Sequence, residues 1–141
     1  MSTSSEHRLL WQPSAARIAN ARITRFQQAY EAIRGTRFAD YREFQRDTCE
    51  NAGTFWQAVW DDAGIIAGTP PTQARDASED IRTARWFEGA RLNFAENLLK
   101  PGRDPVNADR VALVSRHEQG RHCTLTHAQL REAVRRVAAQ L

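Results

Sequence analysis

Residues 86–99 constrain this chain more than any other stretch, and they read WFEGARLNFAENLL. Trp86 and Phe87 carry a large apolar area between charged residues, so we expect both to dock against a buried surface, with the indole N–H hydrogen-bonded. Gly89 permits a turn that a residue with a Cβ would resist. The fold must therefore supply an apolar surface for the aromatic pair and a turn directly after it.

A helix is expected to follow this turn. Asn93 is a suitable N-cap, and Glu96 three residues later forms a relative of the capping box. The spacing predicts a helix over 94–99, and Pro101 and Gly102 are expected to stop it. Capping residues of this kind also occur on ordinary surface helices, so they identify no function by themselves.

The composition is that of an ordinary globular protein. Of its residues, 41% are apolar and 26% are charged. A length of 141 residues is enough for one domain with a single core. The net charge is only +3 and the basic residues are scattered, so the sequence does not indicate a nucleic-acid binder.

Targeting signals are not evident. No apolar run approaches the roughly 18 to 20 residues that cross a bilayer, so we expect no membrane span. Residues 1–8 are polar, lack the apolar core of a secretory signal, and are expected to be disordered. Cys49 and Cys123 have no disulfide-framework spacing. These features together predict a cytoplasmic, reduced setting.

Apolar residues at helical spacing predict three helical segments in the first half. Ser14 is a suitable N-cap for the first segment, and Gly35 closes it. Residues 40–44 are expected to add a helical turn, and the third segment begins near Thr48 or Asn51. The large aromatic area of these segments must be buried. The residues that carry the pattern are Ile23, Phe26, Tyr30 and Ile33 in the first segment and Phe55, Trp56, Val59 and Trp60 in the third.

The second half is expected to contain a loop, a hairpin and a helix. Residues 67–82 lack periodicity and contain Pro70 and Pro71, so they form a loop and are the internal stretch most prone to disorder. Strands over 111–115 and 121–125 flank a turn at 118–120. The predicted class is therefore α+β, with a mostly helical N-terminal segment before the hairpin.

The last helix begins at Thr126, with Gln129 as its capping-box partner. Its apolar stripe is still periodic at the last residue, so we expect an incomplete domain. The residues of this stripe are Leu130, Val134, Val137, Ala138 and Leu141.

Four blocks of this sequence, in order, resemble the acetoacetyl-CoA synthetases, members of the acyl-adenylate-forming ligase superfamily. Residues 86–99 are similar to that family's WFxGARLNYAENLL signature, with Glu88 where the family commonly has proline. The amino-acid sequence of this block favours the acetoacetate branch over the acetate and propionate branches. The other blocks are LWQPS at 10–14, FWQAVWD at 55–61 with Gly64 and Ile65, and LTH at 125–127, where His127 replaces the usual aromatic residue.

The resemblance implies ATP-dependent activation of a short carboxylic acid to an acyl-adenylate, followed by attack of the CoA thiol. It implies ATP, Mg and CoA as cofactors and substrates of the full-length enzyme. The family's phosphate loop, adenine motif, ribose-binding aspartate and catalytic lysine have no counterparts here, and Lys100, the only lysine, receives no catalytic role. We therefore predict no catalytic, cofactor-binding or metal-binding residue, and no ligase activity by this chain alone.

The resemblance also divides the chain. It implies a disordered terminus at 1–8, an acetyl-CoA synthetase-type helical region at 9–100, and the start of the large adenylation domain at 101–141. The role of the chain would be structural, and its partner would be the remainder of that domain. Two alternatives stay open: a stand-alone, non-catalytic interaction module that associates with itself or with partners through exposed apolar helix faces, and an acetate or propionate CoA ligase. The sequence gives neither the acyl specificity nor the oligomeric state.

Three groups of polar residues suggest further chemistry but have simpler explanations. A zinc site is disfavoured because its candidate ligands lack finger spacing, and strand alternation puts His122 and Cys123 on opposite faces. The arginines near the C-terminus are explained as a solvated helix face, and Glu88 and Glu96 as turn and cap residues. The zinc candidates are His117, His122, Cys123 and His127, and the arginines are Arg121, Arg131, Arg135 and Arg136.

Overall fold

The computed structural model describes residues 10–141, so the prediction of disorder at 1–8 lies outside the described residues. Helices come first and a β-hairpin with a final helix follows, which confirms the α+β class. The helices are α1 (Ala15–Ala19), α2 (Arg22–Arg34), α3 (Tyr41–Glu50), α4 (Ala52–Ala63), α5 (Phe94–Leu98) and α6 (His127–Ala138), with a 3-10 helix at Lys100–Arg103. The strands are β1 (Gln73–Arg75), β2 (Trp86–Glu88), β3 (Val111–Arg116) and β4 (His122–Thr126).

The chain forms two compact units. The described residues up to Ala63, together with Gln73–Trp86, make the first, which we call the helical unit. Gly64–Thr72 and Phe87–Leu141 make the second, which we call the hairpin unit. None of the helices within residues 10–141 combines the length and apolar content that a bilayer crossing needs.

The prediction of one continuous helix between Ser14 and Gly35 is wrong, because the chain breaks it into α1 and α2. Ser14 caps only α1, accepting a hydrogen bond from Arg17 N. Asn20 then ends α1, and its side-chain amide donates to Ala16 O at 2.9 Å. Asparagine side chains compete with helical backbone bonds in this way. Gly35, with φ 65°, ends α2 as predicted.

Helix α3 is longer than the helical turn expected at 40–44. Asp40 caps it by accepting from Glu43 N at 2.9 Å, and Glu43 Oε2 accepts in return from Ala39 N. This reciprocal pair at the first turn lets the helix continue for ten residues. Of the two starts proposed for the next helix, Thr48 is wrong and Asn51 is confirmed, since α4 begins at Ala52.

Five aromatic rings form the core of the helical unit. Tyr30 is fully buried, and Phe44 and Ala58 are buried beside it. The ring of Tyr30 lies 5.7 to 6.4 Å, centroid to centroid, from its four aromatic neighbours. Each such pair contributes about 0.5–1.5 kcal/mol beyond its area burial. The neighbours of Tyr30 are Phe26, Phe38, Phe44 and Phe55.

Asp47 satisfies the polar groups at the edge of this core. Its carboxylate accepts from Tyr30 Oη at 2.8 Å and from Asn51 Nδ2 at 3.0 Å. Arg34 donates to both carboxylate oxygens, through Nη2 to Oδ1 and through Nε to Oδ2, each at 3.1 Å. Residues of α2 and α3, and the residue that precedes α4, therefore share one partly buried carboxylate.

Strands β3 and β4 form the predicted antiparallel hairpin. Leu113 faces Leu125 and Arg116 faces His122 across the pair, and the register is irregular between Val111 and Leu113. The turn closes where His117 N donates to Arg121 O at 2.9 Å. Thr126 and Gln129 form the predicted capping box of α6.

Several expected boundaries in the second half are wrong. The predicted loop at 67–82 contains strand β1, in which Ala74 is buried. Helix α5 ends at Leu98, and Pro101 and Gly102 lie inside the 3-10 helix that follows, where proline fits the early positions. A Cβ on Gly102 would lie 2.7 Å from His127 O, so this close approach requires glycine. Helix α6 ends at Ala138, short of the last periodic residue.

We expect Asp47→Ala to lower the free energy of unfolding of the chain by about 2–4 kcal/mol, because it leaves the Tyr30 hydroxyl and the Arg34 guanidinium without their acceptor. Asp62→Ala is the matched control: it removes an exposed ion pair with Arg22, 3.0 Å long, and should cost less than about 1 kcal/mol. Urea titration followed by circular dichroism measures both. Equal losses in the two variants would contradict the central role of Asp47.

The same site predicts acid sensitivity. Burial opposes ionisation of Asp47, but hydrogen bonds from Arg34 and Tyr30 outweigh it and lower the pKa of the carboxyl below its ordinary value of 3.8. A lowered folded-state pKa gives stability that is complete above about pH 4 and is lost as the pH falls through the folded value. Urea titrations between pH 5 and pH 2 should therefore show the stability difference between the wild type and Asp47→Asn shrinking on acidification. A constant difference would contradict this assignment.

Candidate functional site

Residues 86–99 are the most specific motif of the sequence, and the structure shows how its parts are held. Trp86, in the helical unit, packs edge-to-face on Trp56 at 5.9 Å and lies under the Arg75 guanidinium at 5.4 Å. It is 39% exposed and Trp56 is 40% exposed, so the prediction that it docks against a buried surface is only partly correct. The sequence also did not predict that Trp86 begins a strand.

The predicted glycine turn follows within the hairpin unit. Ala90 N donates to Phe87 O at 3.1 Å, and Gly89 is the third residue of this turn, with φ 79°. A positive φ at that position is typical of a type II turn, whose second residue, here Glu88, is often proline. Phe87 itself has φ 48°, which a bulky residue adopts at a cost of about 1–3 kcal/mol. This strained residue was not predicted.

The backbone of Arg91 fixes the preceding connection. Its carbonyl accepts from Gly68 N at 2.8 Å and from Thr69 N at 3.2 Å, and its N–H donates to Thr69 O at 3.0 Å. These bonds make an isolated antiparallel bridge between Thr69 and Arg91. The irregular segment before β1 is therefore ordered by the motif.

Two asparagines of the motif have distinct roles. Asn93 caps α5 as predicted, accepting from Glu96 N at 3.2 Å. The side-chain amide of Asn97 makes two hydrogen bonds to the backbone of Ile66, as a neighbouring strand would. Its Oδ1 accepts from Ile66 N at 2.7 Å, and its Nδ2 donates to Ile66 O at 2.8 Å. We call this pair of bonds the Asn97 clamp. The sequence does not predict this clamp, because no local pattern joins residues 31 positions apart.

Lys100 extends this arrangement. Its Nζ donates to Gly64 O at 2.8 Å, two residues before the clamped Ile66. The lysine that received no catalytic role on sequence grounds therefore has a structural contact. Glu96, expected as a capping-box partner, has its carboxylate 3.5 Å from Arg103 Nη1.

Most of the other polar groups weighed in the sequence lie in β4, in α6 or in the turn before β4. No set of three or more His, Cys, Asp and Glu side chains within residues 10–141 is placed to hold a metal ion. His122 and Cys123 are consecutive residues of β4, and Cys49 and Cys123 are both free thiols. Glu132 accepts from both Arg135 and Arg136, and these bonds lower the pKa of its carboxyl to about 2. The arginines of α6 are thus partly neutralised by their own helix.

The chain is similar in sequence to known proteins. Residues 41–98 match the family described as acetyl-coenzyme A synthetase N-terminus. The acetoacetyl-CoA synthetase of Gallus gallus is 31% identical over 138 residues, which are 96% of this chain and 20% of that protein. The malonamoyl-CoA synthetase vrtB of Penicillium aethiopicum is 34% identical over 131 residues, 91% of this chain and 18% of that protein.

A solved structure is similar as well. Acetoacetyl-CoA synthetase from Streptomyces lividans matches with a TM-score of 0.80 and 35% identity, covering 95% of this chain and 20% of that one. The chain therefore spans about a fifth of the length of the relatives it matches.

We expect Asn97→Ala to release the Ile66 backbone. The variant removes the acceptor for Ile66 N and the donor for Ile66 O, so exchange of the Ile66 amide hydrogen should accelerate at least tenfold. Hydrogen exchange followed by NMR measures this rate. Asn20→Ala, which removes an exposed asparagine contact at the end of α1, is the control and should leave the rate unchanged. Unchanged exchange in Asn97→Ala would show that the clamp does not order this segment.

Proposed function

We propose that this chain forms the N-terminal part of an ATP-dependent acid–CoA ligase. The chain belongs, through residues 41–98, to the acetyl-coenzyme A synthetase N-terminus family, and it is a homologue of acetoacetyl-CoA synthetases over most of its length. In this proposal the ligase activates acetoacetate as an acyl-adenylate and transfers the acyl group to the CoA thiol. The role of these residues is to support the rest of the enzyme.

The observation that carries the proposal is the distribution of buried residues. All the buried apolar residues described in the chain lie in the helical unit: Tyr30, Phe44, Ala58 and Ala74. The hairpin unit contributes none, although it holds two strands and an amphipathic helix. Helices and sheets are stable when their apolar faces are covered. Uncovered faces of this extent support a role inside a larger domain.

The identity of the acid is supported less directly than the class of reaction. The protein named malonamoyl-CoA synthetase is about as similar to this chain as the acetoacetyl-CoA synthetases are. The residues compared therefore do not separate one acyl acid from another. Acetoacetate is proposed because most of these relatives are named acetoacetyl-CoA synthetase and because the sequence of residues 86–99 resembles that branch. Acetate and propionate are the alternatives within the family.

ATP, Mg and CoA belong to the complete ligase in this proposal. The described residues bring together no set of metal-ligating side chains, and none is assigned to these groups. We propose residues 9–100 as the helical region and 101–141 as the start of the adenylation domain, whose remainder is the partner of the chain. A cytoplasmic location is part of the same proposal.

One observation favours the second candidate, a stand-alone interaction module that binds a partner or itself. The helical unit has its own aromatic core, and Asp47 satisfies the polar groups at the edge of that core. Such a unit has what independent folding requires. A monomeric chain with one sharp thermal transition, or a chain that self-associates with micromolar affinity, would support this candidate.

The ligase proposal is tested with a fusion in which this chain replaces the segment it matches in the Streptomyces lividans enzyme. We expect the fusion to consume CoA in the presence of ATP and acetoacetate, because the chain supplies the missing support. The Streptomyces enzyme without that segment is the control and should be inactive or aggregated, and the 141-residue chain alone should show no turnover. An inactive but folded fusion, or turnover by the chain alone, would contradict the proposal.

A further inference from the structure

Helix α5 is held firmly, yet it displays apolar side chains to solvent. Phe94 is 74% exposed and Leu98 is 58% exposed, and Leu92 just before the helix is also exposed. Phe94 and Leu98 are four residues apart and therefore lie on one face of the helix. We call these three residues the α5 face.

The orientation of this helix is fixed by Asn97, so the α5 face does not turn inward. The Asn97 clamp joins α5 to the Ile66 backbone by two hydrogen bonds of 2.7 and 2.8 Å. Asn97 Nδ2 also donates to Asn93 O at 3.0 Å, which links the clamp to the cap of the same helix. A short helix fixed in this way presents its exposed side chains in one orientation, and pre-orientation lowers the entropy cost of binding.

The charge beside the face indicates what kind of surface it fits. Glu96 and Arg103 are paired at 3.5 Å, so these two charges offset each other, and the ammonium group of Lys100 donates to Gly64 O. The large exposed aromatic ring of Phe94 beside the aliphatic side chains of Leu92 and Leu98 forms an apolar contact surface, which matches an apolar pocket.

Resting on the ligase proposed above, we propose that the α5 face docks into an apolar pocket in the part of that ligase which follows this chain. The relatives, including the solved Streptomyces lividans enzyme, are about five times as long, so most of the polypeptide that could cover this face lies outside the chain. A second copy of the chain is a poor occupant, because three side chains cover far less than the roughly 800 Å² per partner of a stable interface. A contact within one polypeptide does not have to hold two separate chains together, so it does not need this interface area.

Thiol accessibility tests this inference directly. In a Cys49→Ser, Cys123→Ser background, which removes both exposed native thiols, Phe94→Cys is labelled with a maleimide in the 141-residue chain and in the Streptomyces fusion. We expect the labelling rate of Phe94→Cys to fall at least tenfold in the fusion. Ile81→Cys is the matched control: Ile81 is 77% exposed but lies outside the motif, so its rate should change less than twofold.

The outcomes separate the two proposals. An inactive fusion counts against the ligase assignment, whereas an active fusion with Phe94→Cys labelled as fast as in the isolated chain overturns the docking inference alone. Protection that appears in the isolated chain and grows with its concentration would assign the face to a second copy, and would also overturn it. Should Phe94→Cys prevent folding, Leu98→Cys reports on the same face, with the same tenfold protection expected.

Discussion

The helical unit depends on one carboxylate. Asp47 lies on α3 and accepts hydrogen bonds from Tyr30 and Arg34 of α2 and from Asn51 before α4. Tyr30 is the ring that the other core aromatics surround, and its hydroxyl would be unsatisfied without Asp47. An unpaired polar group inside an aromatic cluster costs more than the net gain of a single hydrogen bond. The hydroxyl of Tyr30 can therefore lie at the edge of this aromatic core because Asp47 accepts its hydrogen bond. Burial, together with the hydrogen bond to Asp47, raises the pKa of Tyr30 to about 12.

The hairpin unit is organised in a different way. Its order comes from backbone pairing and from side chains that bind backbone atoms, such as Asn97 on Ile66 and Lys100 on Gly64. His127 N and Ala128 N also donate to the carbonyls of Arg110 and Ala108, which fixes the start of α6. Hydrogen bonds of this kind specify a conformation but contribute little net stability, because the unfolded chain bonds equally well to water. The conformation of this unit is thus well defined while its apolar faces remain uncovered.

Local chemistry explains which features the sequence predicts. The caps at Asn93 and Thr126, the stop at Gly35 and the hairpin turn each depend on residues within a few positions, and all are found. The failures depend on distant partners. The sequence predicts a loop where strand β1 lies, because a three-residue strand shows no periodicity. The Asn97 clamp joins residues that no local rule connects, and the left-handed φ of Phe87 has no signature in a residue type that normally avoids it.

The motif at 86–99 therefore contains two kinds of residue. Its asparagines and the backbone of Arg91 are explained by contacts inside the chain, because each makes hydrogen bonds that order a neighbouring segment. Phe94 and Leu98 are not explained in that way, since apolar residues of their size are normally buried and here they are exposed. The polar residues of this motif fix the short helix α5, while its apolar residues point to solvent. The motif therefore specifies a surface as well as a fold. The half of the motif that contacts inside the chain do not explain is thus the half from which we infer a contact with the rest of the proposed ligase.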